Sequence, residues 1–119
     1  MEKSDGWIIK FNKEIEKGYK ARERGNAGME RVCARRAAGI VVKEYYRRQA
    51  KILSKYNTNF LIGASALNNI KLFTEDNEVE EEVRKVAGTF LLQLQKDHTI
   101  VGNPDFLENA EYLARNVLS

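Results

Sequence analysis

The sequence is short of the residues that most chemistries require. It has one cysteine, one histidine and one proline in 119 residues. A single cysteine cannot close an internal disulfide, which excludes a disulfide-stapled framework and makes the cytoplasm the expected compartment. One histidine, with no second histidine or cysteine at ligand spacing, leaves no zinc-ligand set and no expected metal site. It also leaves Cys33 and the serines without a triad. One proline and eight glycines are too little punctuation for a many-turned β fold. No apolar run approaches the length of a membrane span, so no membrane partner is expected. The opening MEKSDGW lacks the apolar core of a signal peptide. No phosphate-binding glycine loop and no Rossmann glycine fingerprint appears, and no cofactor is expected.

What is present fits one soluble helical domain over residues 1–119. Hydrophobic residues make up 43% and charged residues 31%, enough for one core and too apolar for a disordered chain. The net charge of +3 hides a lopsided distribution. Residues 1–56 hold 15 Lys/Arg against 7 Asp/Glu, a balance of +8; residues 57–119 hold 5 against 10, a balance of −5. A basic half can follow a polyanion. The plainer reading is that the two halves face each other within the bundle or across a dimer.

The hydrophobic period predicts an all-α, up-and-down bundle of five helices, at about 5–24, 29–56, 59–73, 78–97 and 104–118, with the second and fourth the longest. In the first, Trp7, Ile8, Phe11, Ile15 and Tyr19 make one stripe, and Gly25-Asn26-Ala27-Gly28 reads as a stop and turn. In the second, Ala34, Ala38, Val41, Tyr45, Ile52 and Tyr56 share a face. The third is expected to start near Thr58 or Asn59 and carries Phe60, Leu61, Ala64, Leu67, Ile70, Leu72 and Phe73. Asn77 and Glu80 resemble a capping box at the fourth start. The acidic run from Glu78 to Glu82 suits a helix N-terminus, which favours negative charge. Asn103 as cap and Pro104 in the first helical position read as the fifth start.

The densest chemistry lies in RVCARRAAG, residues 31–39. Ala34, Ala37, Ala38 and Gly39 leave room for a neighbouring helix, and Gly39 costs about 1 kcal/mol against Ala unless a close contact offsets it. Cys33 reads as a small buried hydrophobe. Arg36, with Lys43 and Arg47, projects from the solvated face. Arg31 and Arg35 stand one turn apart beside the apolar stripe, so they can converge on one anion or one carboxylate. Buried arginines are mostly paired internally. An internal ion pair is therefore the first expectation for them, and an anion site the second. His98, in the segment between helices four and five, is the remaining candidate ligand residue. A histidine there usually answers helix carbonyls, and it can also act as an acid, a base or a ligand.

The order of elements adds a family resemblance. An amphipathic first helix, a glycine turn, the Ala-rich basic GMERVCARRAAGIVVKEYY, an amphipathic helix after a run of acids, and a last helix opening Asn-Pro-Asp-Phe together resemble the higher eukaryotes and prokaryotes nucleotide-binding (HEPN) domain. The resemblance implies a helical bundle, often dimeric, in a family that includes RNA-cutting toxins and small partners of nucleotidyltransferases. The nuclease members carry an arginine and a histidine separated by four to six residues. Here the positions after Arg84 at that spacing are Thr89, Phe90 and Leu91, and those before His98 are Gln93, Leu92 and Leu91. The catalytic pair carries over to no residue.

The expectation is a non-catalytic helical binding module, homodimeric, for a nucleotide, a polyanion such as RNA, or a protein partner. Arg31, Arg35 and His98 are its ligand-binding candidates, and no catalytic residue is assigned. Trp7, Tyr45, Tyr46 and Phe60 are the aromatic anchors expected of a dimer interface. The alternatives are a divergent HEPN-type ribonuclease, with His98 and an arginine brought together by folding or dimerisation, and a purely structural protein whose arginines pair internally.

Overall fold

The computed structural model describes residues 6–53, 65–92, 102 and 104–118. Among these the chain is all-α, with five helices and no strand. They are α1 (Gly6–Glu23), α2 (Ala27–Leu53), α3 (Ala66–Thr74), α4 (Glu81–Gly88) and α5 (Phe106–Val117), with a single 3-10 turn at Thr89–Leu91 after α4.

α2 is the central helix, packed by α1, α3 and α5, while α4 packs on α3 and α5. Its sequence explains this position. Cys33, Ala34, Ala37, Ala38, Val41 and Val42 are all buried to within 1% exposure. Small side chains on several sides of one helix let several neighbours approach its backbone. At Gly39 the approach is closest: a Cβ there would stand 2.5 Å from the Cβ of Ala66, at the start of α3. The expected compensation for a helical glycine is thus a helix–helix contact.

The turn between α1 and α2 comes from three residues. Gly25 adopts φ +73°, which an L side chain rarely takes. Its N–H donates to Arg22 O at 3.0 Å, and that of Asn26 to Ala21 O at 2.8 Å. This is the Schellman pattern that closes a helix C-terminus. The Asn26 side chain then accepts from Met29 N at 3.0 Å. Capping by Asn26 starts α2 at Ala27, two residues earlier than expected, so Ala27 and Gly28 belong to the helix.

Other boundaries also move, each for a local reason. Ser65 is extended (φ −69°, ψ 162°) and accepts from Asn68 N, so α3 begins at Ala66; Phe60, Leu61 and Ala64 lie outside the described residues. No capping box forms at Asn77. Asp76 instead accepts from Glu78 N at 2.9 Å, its carbonyl accepts from Val79 N at 3.0 Å, and this turn delays α4 to Glu81. Nor is Asn103–Pro104 the start of α5. Asp105 caps it by accepting from Glu108 N at 3.1 Å, and Pro104 precedes the helix.

The fourth helix departs most from expectation. It ends at Gly88, and Leu92 is extended with ψ 144°, so it is among the shortest of the described helices. Gly88 weakens the helix, and Thr89 Oγ1 donates to Val86 O at 2.7 Å. The α1 stripe is rotated as well. Phe11, Ile15, Gly18 and Ala21 are buried, whereas Ile8 and Tyr19 sit at its exposed edge. Among the described residues no helix is long and apolar enough to cross a membrane.

Candidate functional site

Three polar clusters tie the bundle together, and one of them binds two cations of α2. At one end Arg22 Nη2 donates to Glu30 Oε2 at 2.8 Å and to Asp105 Oδ1 at 2.7 Å, joining α1, α2 and the cap of α5. Its guanidinium also lies 5.1 Å from the Tyr19 ring centroid. Hydrogen bonds donated to Glu30 and Asp105 hold Arg22 charged. Burial opposes the charge on Asp105, but the Glu108 N–H and Arg22 outweigh it and hold its carboxyl below the usual range.

At the other end Glu44 is buried and accepts from Arg47 Nη2 at 2.7 Å and Arg48 Nε at 2.9 Å. Arg48 Nη1 also donates to Leu118 O at 3.2 Å, fastening the end of α5. Burial alone would raise the Glu44 carboxyl; hydrogen bonds from the two arginines bring it below its ordinary value. Between Glu44 and Arg47 on α2, Tyr46 OH donates to Asp76 Oδ2 at 2.5 Å, and the rings of Tyr45, Tyr46 and Phe73 meet edge-on. Trp7 packs edge-on against Phe11. Three of the four aromatics expected to anchor a dimer are therefore engaged inside the chain, and the fourth, Phe60, lies outside the described residues.

Arg31 and Arg35 behave differently. Both are half-buried and line an open cleft of about 470 Å³ between the first turns of α2, the 3-10 turn and the start of α5. Asn26, Gly28, Met29, Val32, Phe90, Leu92 and Phe106 complete its wall. Neither arginine has an ion-pair partner among the described residues. The internal carboxylate expected from their half-buried position is absent there. α2 itself offers them none, since the neighbours of Arg31 and Arg35 at three and four residues' distance are alanine, glycine, valine or each other, and the elements that cross them bring apolar residues to the cleft.

The cleft is amphipathic. Phe90 and Phe106, with ring centroids 5.7 Å apart, form an apolar floor. Arg31 leans back over the first turn of α2, its Nη2 3.9 Å from where a Cβ on Gly28 would stand. The first N–H groups of a helix lack intrahelical acceptors, and its N-terminus carries positive potential. Two guanidinium groups and the start of a 27-residue helix thus favour an anion at one end of the cleft, beside an apolar surface.

The remaining candidates are quickly placed. Arg36 is exposed, as expected. His98 lies outside the described residues. Cys33 is buried against α1 beside Glu14, and burial pushes its thiol up, with the Glu14 charge adding to the effect. A thiol so placed is an inert packing group. The apolar floor was legible only as core stripe, because nothing in the sequence says that α4 stops at Gly88 and exposes Leu92 beside Phe90. No family model, no curated protein and no solved structure matches the chain.

Proposed function

We propose that the protein is a non-catalytic helical binding module whose cleft takes a small ligand carrying a phosphate and an apolar or planar body, the combination found in a nucleotide. The observation behind this reading is the pair Arg31 and Arg35 on the wall of the cleft, one turn apart, with no carboxylate partner among the described residues. Paired arginine donors suit the geometry of phosphate oxygens. The volume of about 470 Å³ lies in the range of small-molecule sites. The HEPN-like order of an amphipathic helix, a glycine turn and a long Ala-rich basic helix agrees with a nucleotide ligand. Dimerisation in solution belongs to the same proposal, and a monomeric mass in light scattering at high micromolar concentration removes it.

The test is thermal unfolding with AMP, adenosine and inorganic phosphate in turn. AMP raises the melting temperature of the wild type, adenosine does so less, and Arg35→Ala melts within about 5 °C of the wild type while losing the response to AMP. A variant that melts far lower, together with a wild type indifferent to all three, assigns the arginines to stability instead. Unstructured RNA incubated with the protein stays intact, because in-line attack by a ribose 2′-OH needs a positioned base or acid. Cleavage abolished by His98→Ala would establish the ribonuclease alternative.

A further inference from the structure

The outer face of α1 carries a second basic feature, separate from the cleft. Lys10, Lys13, Lys17, Lys20 and Arg24 follow one another at intervals of three or four residues, and all five are exposed. At about 100° per residue they fall within a sector of roughly 80°, forming one row ~21 Å long. Arg24 is the residue after the last of α1, and its N–H still donates to Lys20 O at 3.2 Å, which keeps it in helical register. The acids on the exposed surface of α1, Glu16 and Glu23, lie to one flank. Among the described residues only Glu16 forms an ion pair with the row, at 3.9 Å from Lys20 Nζ. On the other flank stand the half-buried Glu14 and, from α2, the exposed Arg36; Glu14, Arg36 and Lys17 all act on the Cys33 thiol between the two helices.

Like charges three and four residues apart destabilise a helix; Glu14, Glu16 and Glu23, which stand three or four residues from the lysines, offset part of this cost without interrupting the row. A solvated helix face usually mixes signs, as the Glu-rich start of α4 mixes with Lys85 and Arg84. A straight array of single-sign charges, one per turn, is complementary to a linear array of anions rather than to one compact anion. The apolar face of α1 is already buried against the bundle, with Phe11 and Ile15 in the core. Ile8, Ile9 and Tyr19 remain exposed, but Ile9 stands apart from the other two around the helix, so α1 lacks the continuous apolar side that an interfacial helix lays into a lipid surface.

We infer that the row Lys10–Lys13–Lys17–Lys20–Arg24 is a docking surface for a nucleic-acid backbone, bound through its phosphates and without regard to sequence. Binding of this kind releases counterions, and for a single strand log K falls with log salt at a slope near −0.7 per phosphate neutralised. Three to five contacts from the row give a slope of roughly −2 to −3.5.

The experiment is fluorescence anisotropy of a labelled oligothymidylate titrated with the full chain at several salt concentrations. The wild type binds with a slope in that range. K13Q/K17Q/K20Q binds at least about tenfold more weakly at low salt, with a slope shallower by roughly 2. The three lysines are exposed and the variant stays folded; a graded loss across K13Q, K17Q and K20Q singly supports the inference equally. K71Q/K85Q, which removes two exposed cations from α3 and α4, leaves binding within about twofold of wild type. Arg35→Ala, in the cleft, weakens binding less than the triple variant does, whether or not the cleft takes a nucleotide. No binding at low salt overturns the inference, as does a slope near zero, or an equal loss in K71Q/K85Q. Two further results overturn it: an Arg35→Ala loss matching that of the triple variant, which moves the binding into the cleft, and tighter binding to phosphatidylserine vesicles than to the oligonucleotide.

Discussion

The two ends of α2 present arginines in opposite circumstances. Near its C-terminal end Arg47 and Arg48 share Glu44, three and four residues back, and the trio is fastened to Leu118 O. Near its N-terminal end Arg31 and Arg35 have no acid at those distances and open onto a cleft. Both pairs lie on one helix beside the same core. What separates them is whether a carboxylate stands one turn away, and that turns one pair into a fastening and leaves the other available to a ligand.

The strongest way to break the comparison is to remove the fastening. Glu44→Ala takes a buried acceptor from two arginines. Hydrogen bonds to charged groups contribute about 1.5–3 kcal/mol, and the arginines, partly exposed, can turn to water afterwards. A loss of about 2 kcal/mol is expected in urea unfolding, with a fall of several degrees in melting temperature.

Acid titration sharpens the contrast. The folded-state pKa of Glu44 is depressed by its arginines, so its contribution is present above the unfolded carboxylate value and is lost as pH falls through the lower folded value. Asp105, also depressed, adds to the same acid limb. Stability of Glu44→Gln should therefore converge on that of wild type as pH drops below the ordinary carboxylate range. Parallel curves down to the lowest pH would contradict this.

A smaller effect is expected at the open end. Arg35→Ala should cost no more than about 1 kcal/mol, from the lost packing of its aliphatic stem, while its affinity for a phosphate ligand falls at least about tenfold. The smallest effect belongs to Arg36→Ala. On the solvated face it should change stability by no more than ~0.5 kcal/mol, and a larger loss in urea unfolding would mean that the exposed side of α2 is misplaced.

The helical class was legible in the sequence because its signals are local: 3.6-residue periodicity, Gly25 after α1, and small residues from Ala34 to Gly39. Helix ends were less legible because several residues compete to cap each one. Asp105 and Asn103 both suit the start of α5, and the choice of Asp105 goes with its tertiary bond to Arg22, which no local pattern reveals. The candidate site was half legible. The phase of α2 singled out Arg31 and Arg35, but their freedom from carboxylates depends on which elements cross them. The Glu44 cluster had a readable signal, an acid three and four residues before two arginines, that the apolar stripe obscured.

The four small residues Ala34, Ala37, Ala38 and Gly39 have a consequence for how the chain folds. Alanine and glycine surrender almost no rotamer freedom when buried, whereas a leucine or methionine loses up to ~1–2 kcal/mol of side-chain entropy. Contacts made along this stretch therefore keep most of their dispersion energy. The partner helix α1 is only a three-residue turn away, so closing that hairpin orders little chain. Short-range contacts with little entropy to lose are the ones expected to form early, and they make the α1–α2 hairpin the natural template on which α3, α4 and α5 later assemble.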